Sequence, residues 1–277
     1  MAIITLTSDW GTKDYYAAAV KGTILSQLPN VTIVDVTHEI EPFNVSQAGF
    51  TLKNCFRCFP PGTIHIIAVD TIESTECPHV VVKAEGQYFI STDNGIFSHI
   101  LDGKYDEAYY IDVIQDSDFF TFATRDRFAT RDRFAKVAVM IANGEPLSSI
   151  GEPRLKLNPG GTFCAVARDN TIEGVVMHID SYDNLITNIS KELFERECRG
   201  RDFTIMVKGD LYTVDEISDS YLDVDVVDLV AIFGTHGYLE LAFNKAKLAS
   251  LCGIEPKSTI KVVFHDEEKA SKLGSLF

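Results

Sequence analysis

The chain opens on an apolar run, Ile3 to Thr7, that stops at the polar group Ser8-Asp9-Trp10-Gly11. Short runs rich in β-branched residues recur at Val31–Val36, Thr63–Val69, Val80–Ala84, Tyr88–Ser91 and Ala108–Ile111, and each predicts a strand. Between and after them, Lys13–Leu28, Ser46–Phe59, Gly95–Leu101 and Phe134–Asn143 predict helices. Strands alternating with helices predict an α/β domain whose largely parallel sheet is covered on both faces. Glu85-Gly86-Gln87 separates two adjacent runs and predicts an antiparallel hairpin.

Gly151 to Gly161 holds Pro153, Pro159 and the pair Gly160-Gly161, strong punctuation that predicts a linker. Beyond it the texture changes. Thr171–Ile179, Asp202–Val207, Leu229–Phe233, Leu239–Phe243 and Thr259–Phe264 are short apolar runs with turns between. They predict a smaller antiparallel β-barrel or sandwich. The domains expected are 1–155, α/β, and 169–277, β, joined by a linker over 156–168.

Composition narrows the function classes. Asp and Glu number 40 against 25 Lys and Arg, a formal charge of −15, and such a field repels nucleic-acid backbones. No stretch approaches the roughly 18 apolar residues of a membrane span. Met1 leads straight into a strand without the basic flank and apolar core of a signal peptide, so cytoplasm is the expected location. Cys55 and Cys58 form the one C-x-x-C among six scattered cysteines. With no second pair, they read as small apolar residues on or near a buried helix face, and no metal is expected.

Thr124-Arg125-Asp126-Arg127-Phe128-Ala129 recurs at once as Thr130-Arg131-Asp132-Arg133-Phe134-Ala135. Six helical residues advance by roughly 600°, so the two copies cannot share one face of a continuous helix. One copy must lie in a loop, or a helix must begin between them.

Asp9 ends the first strand and is followed by Gly and a helix, the place where open α/β sheets put ligand-binding groups. Carboxylates there commonly grip a ribose; the alternative is an N-cap for the helix. Asp70 likewise ends a strand, Thr63–Val69, but Thr71-Ile72-Glu73 follows it.

The pattern T-S-D-W-G…K-G…P-N-V-T-I-V-D-V-T-H-E-I-E-P-F-N, with matches continuing over nearly the whole chain, resembles the SAM hydroxide adenosyltransferases, hydrolase relatives of fluorinase and chlorinase. The resemblance implies in-line attack of water on the ribose C5′ of S-adenosyl-L-methionine (SAM), giving adenosine and L-methionine. It implies SAM as substrate or ligand with no further cofactor. It also implies a homotrimer whose ligand site lies between the first domain of one subunit and the second domain of its neighbour. Asp9 inherits the ribose, Asp70 the catalytic aspartate, and Phe43 an aromatic position against the ligand, though a core Phe fits there as well. Thr124 or Thr130 falls where halogenating relatives hold a hydroxyl near the nucleophile. Thr92-Asp93-Asn94-Gly95 is similar to a P-D-N-G turn, placing Asn94 near ligand; helix capping by Asp93 or Asn94 is the other reading.

His178-Ile179-Asp180-Ser181-Tyr182-Asp183-Asn184-Leu185-Ile186-Thr187-Asn188-Ile189 resembles I-D-x-F-G-N-L-x-T-N-I. Asp180 and Asn184 inherit the amino-acid end of SAM and Tyr182 the adenine, with Asp183 in place of a Gly. Gly234-Thr235-His236-Gly237-Tyr238-Leu239-Glu240-Leu241-Ala242-Phe243-Asn244 resembles G-S-x-G-Y-L-E-I-A-x-N. It assigns Thr235 and His236 to the methionine carboxylate and the backbone near Asn244 to adenine. From the residues alone, both stretches are strand ends with polar turns.

The departures matter. Cys77 stands where the family pattern has an Arg, and Ala123, or Ala129 in the second copy, where it has a His. Neither replacement does the work of the lost group. His79 is the one imidazole near that place; it either leans back toward Asp70 or is a partly exposed residue starting a strand. The short turn at Gly86 and Phe43, where fluorinase has Trp, argue against the halogenating branch. The second function class is therefore a SAM- or adenosine-binding sensor or scaffold that has lost turnover.

Overall fold

The computed structural model describes residues 2–111, 130–161 and 164–265. The chain forms two compact units, residues 1–162 and 163–277.

Unit 1 contains strands β1 (Ile3–Ser8), β2 (Thr32–Thr37), β3 (Ile64–Ala68), β4 (His79–Ala84), β5 (Gln87–Thr92) and β6 (Glu107–Tyr110). Its helices are α1 (Tyr16–Gln27), α2 (Val45–Lys53), α3 (Ile96–Leu101) and α4 (Ala135–Ala142), the last entered through a π-helical turn at Thr130–Phe134. The sheet order is β2-β1-β3-β5-β4-β6. Pairing is parallel from β2 through β5 and antiparallel at β4 and β6, with β4 and β5 forming the expected hairpin.

Successive side chains on a strand point to opposite faces, and the two apolar layers follow from that. Ile64 and Ile66 of β3 pack with Val20 and Ile24 of α1 and Val137 and Ile141 of α4. Ile67 and Val69 pack instead with Leu52 of α2 and Phe97 and Ile100 of α3. His65, buried within β3, is held neutral, its pKa lowered to about 4 by burial. Its Nε2 donates to Gln87 Oε1 at 2.5 Å, since the Gln87 amide nitrogen is committed to the carbonyls of Phe56 and Phe59. Nδ1 then accepts from Thr5 Oγ1 at 2.7 Å.

Two helix boundaries differ from the sequence expectation by more than one residue. α1 begins at Tyr16, with no side-chain cap, not at Lys13. α2 stops at Lys53, because the Asn54 side chain bonds back to the Phe50 carbonyl at 2.8 Å, and a 3-10 turn, Phe56–Cys58, follows. Cys55 and Cys58 therefore leave the helix, and Cys58 is exposed rather than set on a buried face. Of the repeat, the second copy forms the π-helical turn and the first residue of α4. The first copy lies outside the described residues.

The punctuated Gly151–Gly161 stretch is tied to the sheet by Asp93, which follows β5 and is fully buried. Arg154 Nε donates to Asp93 Oδ2 at 2.7 Å, and the Asn158 backbone N–H to Oδ1 at 3.0 Å. Burial pushes the Asp93 carboxyl up, against the pull of Asn158 and Arg154. Gly95, at φ 97°, and Gly160 pass so closely that a Cβ on Gly95 would sit 2.9 Å from Gly160 Cα.

Unit 2 contains β7 (Val166–Arg168), β8 (Thr171–Ile179), β9 (Leu185–Ser190), β10 (Phe203–Val207), β11 (Tyr212–Val214), β12 (Leu229–Phe233), β13 (Tyr238–Phe243) and β14 (Thr259–Phe264). The antiparallel path β11-β10-β14-β8-β9-β13-β12 brings its two end strands together, a nearly closed barrel-like sheet with β7 on β8. Ile172, Leu185, Ile205, Leu239 and Ile260 are among its buried core residues. Unit 2 is not all β. The helix α5 (Lys191–Cys198) starts at Ser190, whose hydroxyl accepts from Leu193 N–H at 3.2 Å, and α6 (Leu248–Cys252) follows β13. Among the described residues, no helix is long and apolar enough to cross a membrane.

Removing one partner of a buried ion pair leaves an uncompensated charge. Arg154→Ala should destabilise the protein by about 3 kcal/mol in chemical denaturation, and Asp93→Asn added to it should recover part of the loss. A change under about 1 kcal/mol would mean that water or neighbouring dipoles already satisfy Asp93.

Candidate functional site

The chain leaves β1 for β2 on one side and returns to β3 on the other. The carboxyl ends of β1 and β3 thus form a topological switch point, where open sheets leave a crevice. Asp9 and Asp70 stand there. Asp9 Oδ2 accepts the Phe43 N–H at 2.9 Å, and the Asp70 N–H also bonds this carboxylate. Burial pushes the Asp9 carboxyl up, the backbone N–H groups of Phe43, Asp9 itself and Asp70 oppose the rise, and the Asp70 charge adds to it. Asp9 is therefore a receiver for two loops and not the cap of α1.

Phe43 and Asp70 both adopt left-handed backbone, at φ 65° and 48°. Phe43 is 66% exposed, so it is not a core residue. Asn94 Nδ2 donates to the Asp70 carbonyl at 3.0 Å, while its Oδ1 accepts from Ile96 N–H at 3.3 Å. Asn94 thus caps the turn into α3 and holds the Asp70 turn at once; Asp93 does neither. Asp9, Phe43, Asp70 and Asn94 form one contiguous group. Beside it, Ser8 Oγ and His38 Nδ1 are 2.6 Å apart, and Trp10 stacks on the His38 ring.

His79 departs from its expectation: it is buried, at 3% exposure. Its ring meets Phe134 edge-on, with centroids 4.8 Å apart. Nε2 lies 2.9 Å from the Thr71 carbonyl, and Nδ1 lies 3.2 Å from Arg133 Nη1. Arg133 also donates to Glu73 Oε2 at 2.7 Å. Sequence reasoning missed Glu73 and Arg133; the signal for Arg133 was its place beside Phe134 in the duplicated hexapeptide. Cys77 is half-buried in a tight turn, its N–H bonded to Ser74 Oγ at 2.9 Å. Thr124, Ala123 and Ala129 lie outside the described residues, as does the side chain of Thr130, the first residue of the π-helical turn.

In unit 2, Asp180 closes the β8–β9 turn. Its Oδ1 accepts the N–H groups of Tyr182 and Asn184, both at 2.9 Å, and its Oδ2 the Asn184 amide at 3.1 Å. Asp183, at φ 67°, adopts the left-handed backbone that a Gly would take. Tyr182 is 78% exposed. Asn184 also bonds Glu240, a buried carboxylate that accepts from Tyr221 OH and from His236 Nε2, the latter at 3.2 Å. Burial raises the Glu240 carboxyl, but His236, Tyr221 and Asn184 together hold it below the usual range. Thr235 is exposed at the same turn. Asn244 is placed differently: buried, it holds the 224–228 loop through the Val224 carbonyl at 2.8 Å. Glu240 is the residue the sequence motif contained but did not single out. Among the described residues no group of three or more side chains is placed to hold a metal.

These geometries belong to an α/β unit with a carboxylate-lined switch point and a barrel-like unit with a buried polar cluster. The sequence profile of the SAM hydroxide adenosyltransferase N-terminal domain matches residues 4–151, and that of the C-terminal domain residues 174–261. The chain belongs to the SAM hydroxide adenosyltransferase family. It is 28% identical to the (R)-S-adenosyl-L-methionine hydrolase of Methanocaldococcus jannaschii, over 95% of this chain and 96% of that one. It is also 28% identical to the fluorinase of Actinopolyspora mzabensis, over 94% and 96% of the two chains. A crystal structure of an uncharacterized conserved protein from Thermotoga maritima superposes with a TM-score of 0.81 at 27% identity, covering 95% of this chain and 100% of that one.

The depressed Glu240 carboxyl has a signed consequence. It contributes stability above the ordinary value of 4.5 that is lost as pH falls through the lower folded value. Glu240→Gln should flatten that acid limb in denaturation curves taken from pH 6 to about pH 3. Parallel parent and variant curves would show that Glu240 is not held as a carboxylate.

Proposed function

We propose that the protein hydrolyses SAM to adenosine and L-methionine. The observation that carries this reading is the meeting of Asp9 and Asp70 at the β1/β3 switch point, in a chain of this family. Asp9 and Asn94 face the ribose side, and the exposed Phe43 ring lies against the nucleoside. Asp180, Asn184, Tyr182, Thr235 and His236 take the amino-acid and adenine ends, with the backbone near Asn244.

The chemistry asks little covalent work of the protein. A water oxygen forms a bond to C5′ as the C5′–S bond breaks, and its electron pair neutralises the sulfonium as methionine leaves. The water proton passes to Asp70 and then to solvent. The enzyme's contribution is to hold the ribose so that water meets C5′ from the face opposite sulfur. The two-residue turn Glu85-Gly86 between β4 and β5 favours water over halide as nucleophile.

Each unit carries part of the ligand set, which supports a homotrimer in which unit 1 of one subunit is completed by unit 2 of the next. Cys77, and Ala123 or Ala129, support a second reading: a SAM- or adenosine-binding sensor without turnover.

Incubation with SAM should release adenosine and methionine, read by chromatography. Asp70→Asn should lower the rate by about 10²–10⁴ while SAM still binds. Asp9→Ala should weaken binding, measured by calorimetry, about tenfold or more. Mixed Asp9→Ala and Asn184→Ala chains should regain activity that neither has alone if sites form between subunits. Binding without product in the parent would favour the sensor; no binding would remove both readings.

A further inference from the structure

A second group of polar side chains lies on the loop after Asp70, outside the ligand set argued above. Arg133, on the π-helical turn, has a side chain only 12% exposed and donates to both Glu73 and His79. The Thr71 carbonyl can only accept, so His79 carries its proton on Nε2 and donates it there. Nδ1 is then the acceptor that the Arg133 guanidinium requires. The bonds run in one direction: guanidinium to imidazole to the carbonyl of Thr71.

That carbonyl belongs to the residue after Asp70. The carbonyl of Asp70 itself is held by Asn94 Nδ2. Two consecutive carbonyls are therefore clamped from two sides, around a residue whose left-handed backbone is costly for a side chain bearing a Cβ. Glu73 balances the charge that Arg133 brings into this half-buried place and ties the loop a second time.

We propose that Arg133, acting through His79 and Glu73, is the positioning residue that fixes the Asp70 turn, replacing by a different route the fixed cation that Cys77 does not supply. The proposal rests on the hydrolytic reading for its link to chemistry, but not for its link to Asp70. Arg133 is a positioning residue: the contacts it makes are to the Asp70 loop.

The test compares full-length parent, Arg133→Ala, Arg133→Lys and Glu73→Gln, each checked for an intact thermal melt. In hydrogen–deuterium exchange, the peptide spanning residues 70–79 should exchange faster in Arg133→Ala, with part of the protection kept in Arg133→Lys. In SAM turnover, kcat should fall on the order of 10²-fold in Arg133→Ala while the Kd for SAM stays unchanged. Added guanidinium ion should restore part of that rate. Unchanged exchange in a folded Arg133→Ala protein overturns the proposal whether or not the parent cleaves SAM. Changed exchange with kcat unaltered overturns the link to catalysis. If the parent releases no adenosine, the hydrolytic reading fails by itself, and the exchange result still decides whether Arg133 fixes the Asp70 turn. Should Arg133→Ala not fold, Arg133→Lys and Glu73→Gln carry the same comparison.

Discussion

The Asp9 carboxylate at the end of β1 gathers loops from two places in unit 1. It takes the backbone N–H of Phe43, beyond β2, and of Asp70, beyond β3, and both residues sit in left-handed conformations. Such backbone costs a non-glycine residue about 1–2 kcal/mol. A hydrogen bond to a charged acceptor contributes about 1.5–3 kcal/mol, enough to hold each loop in place. The cost of gathering them appears in the carboxylate itself, which burial and the nearby Asp70 charge push up. Removing Asp9 therefore releases the two loops that shape the crevice and, on the proposed reading, takes away a ligand group as well.

What the sequence made legible follows the same division. The strand positions of unit 1, the β4–β5 hairpin and the change to antiparallel texture after Gly161 are local patterns, and they were readable; β7, β9 and β11 were not among the expected runs. The burial of His79 was not, because it is made by Phe134 and Arg133, more than fifty residues away in the chain. Helix α5 escaped notice because Lys-Glu-Leu-Phe-Glu-Arg-Glu-Cys has a narrow apolar stripe and owes its start to Ser190. The overrun of α2 has the opposite origin. Its apolar pattern continues through Phe56, but Asn54 ends the helix by bonding Phe50. At Asp9 the sequence left ribose ligand and helix cap open; the distance from Asp9 to the start of α1 removed the cap.

In unit 2, residues read as ligand contacts are also the fabric of the turns. A carboxylate offers about four acceptor sites, and Asp180 already uses three on Tyr182 and Asn184. On the proposed reading, a ligand ammonium meets an acceptor whose geometry is preset, with little freedom left to adapt. Glu240 works from behind: it orients Asn184, His236 and Tyr221 while burial keeps it from solvent. Such fully engaged polar clusters rigidify, and a rigid cluster loses less entropy on binding than a set of free side chains.

The acidity of the chain bears on the proposed chemistry in a way that constrains where carboxylates can stand. SAM enters with a sulfonium, and the attack on C5′ discharges it. A carboxylate placed against the sulfur would stabilise the ground state more than the transition state and slow the reaction. Asp9 directs its oxygens to backbone N–H groups, and on the proposed reading it stands on the ribose side, where its interaction does not depend on the sulfonium surviving. Asp70 stands close enough to raise Asp9, so its charge belongs to the same wall of the crevice. On the proposed reading, its useful place is behind C5′, where the incoming water gains positive character as the sulfonium loses it. There the carboxylate favours the transition state over the ground state, and a turn clamped at two consecutive carbonyls keeps it from swinging toward the sulfur.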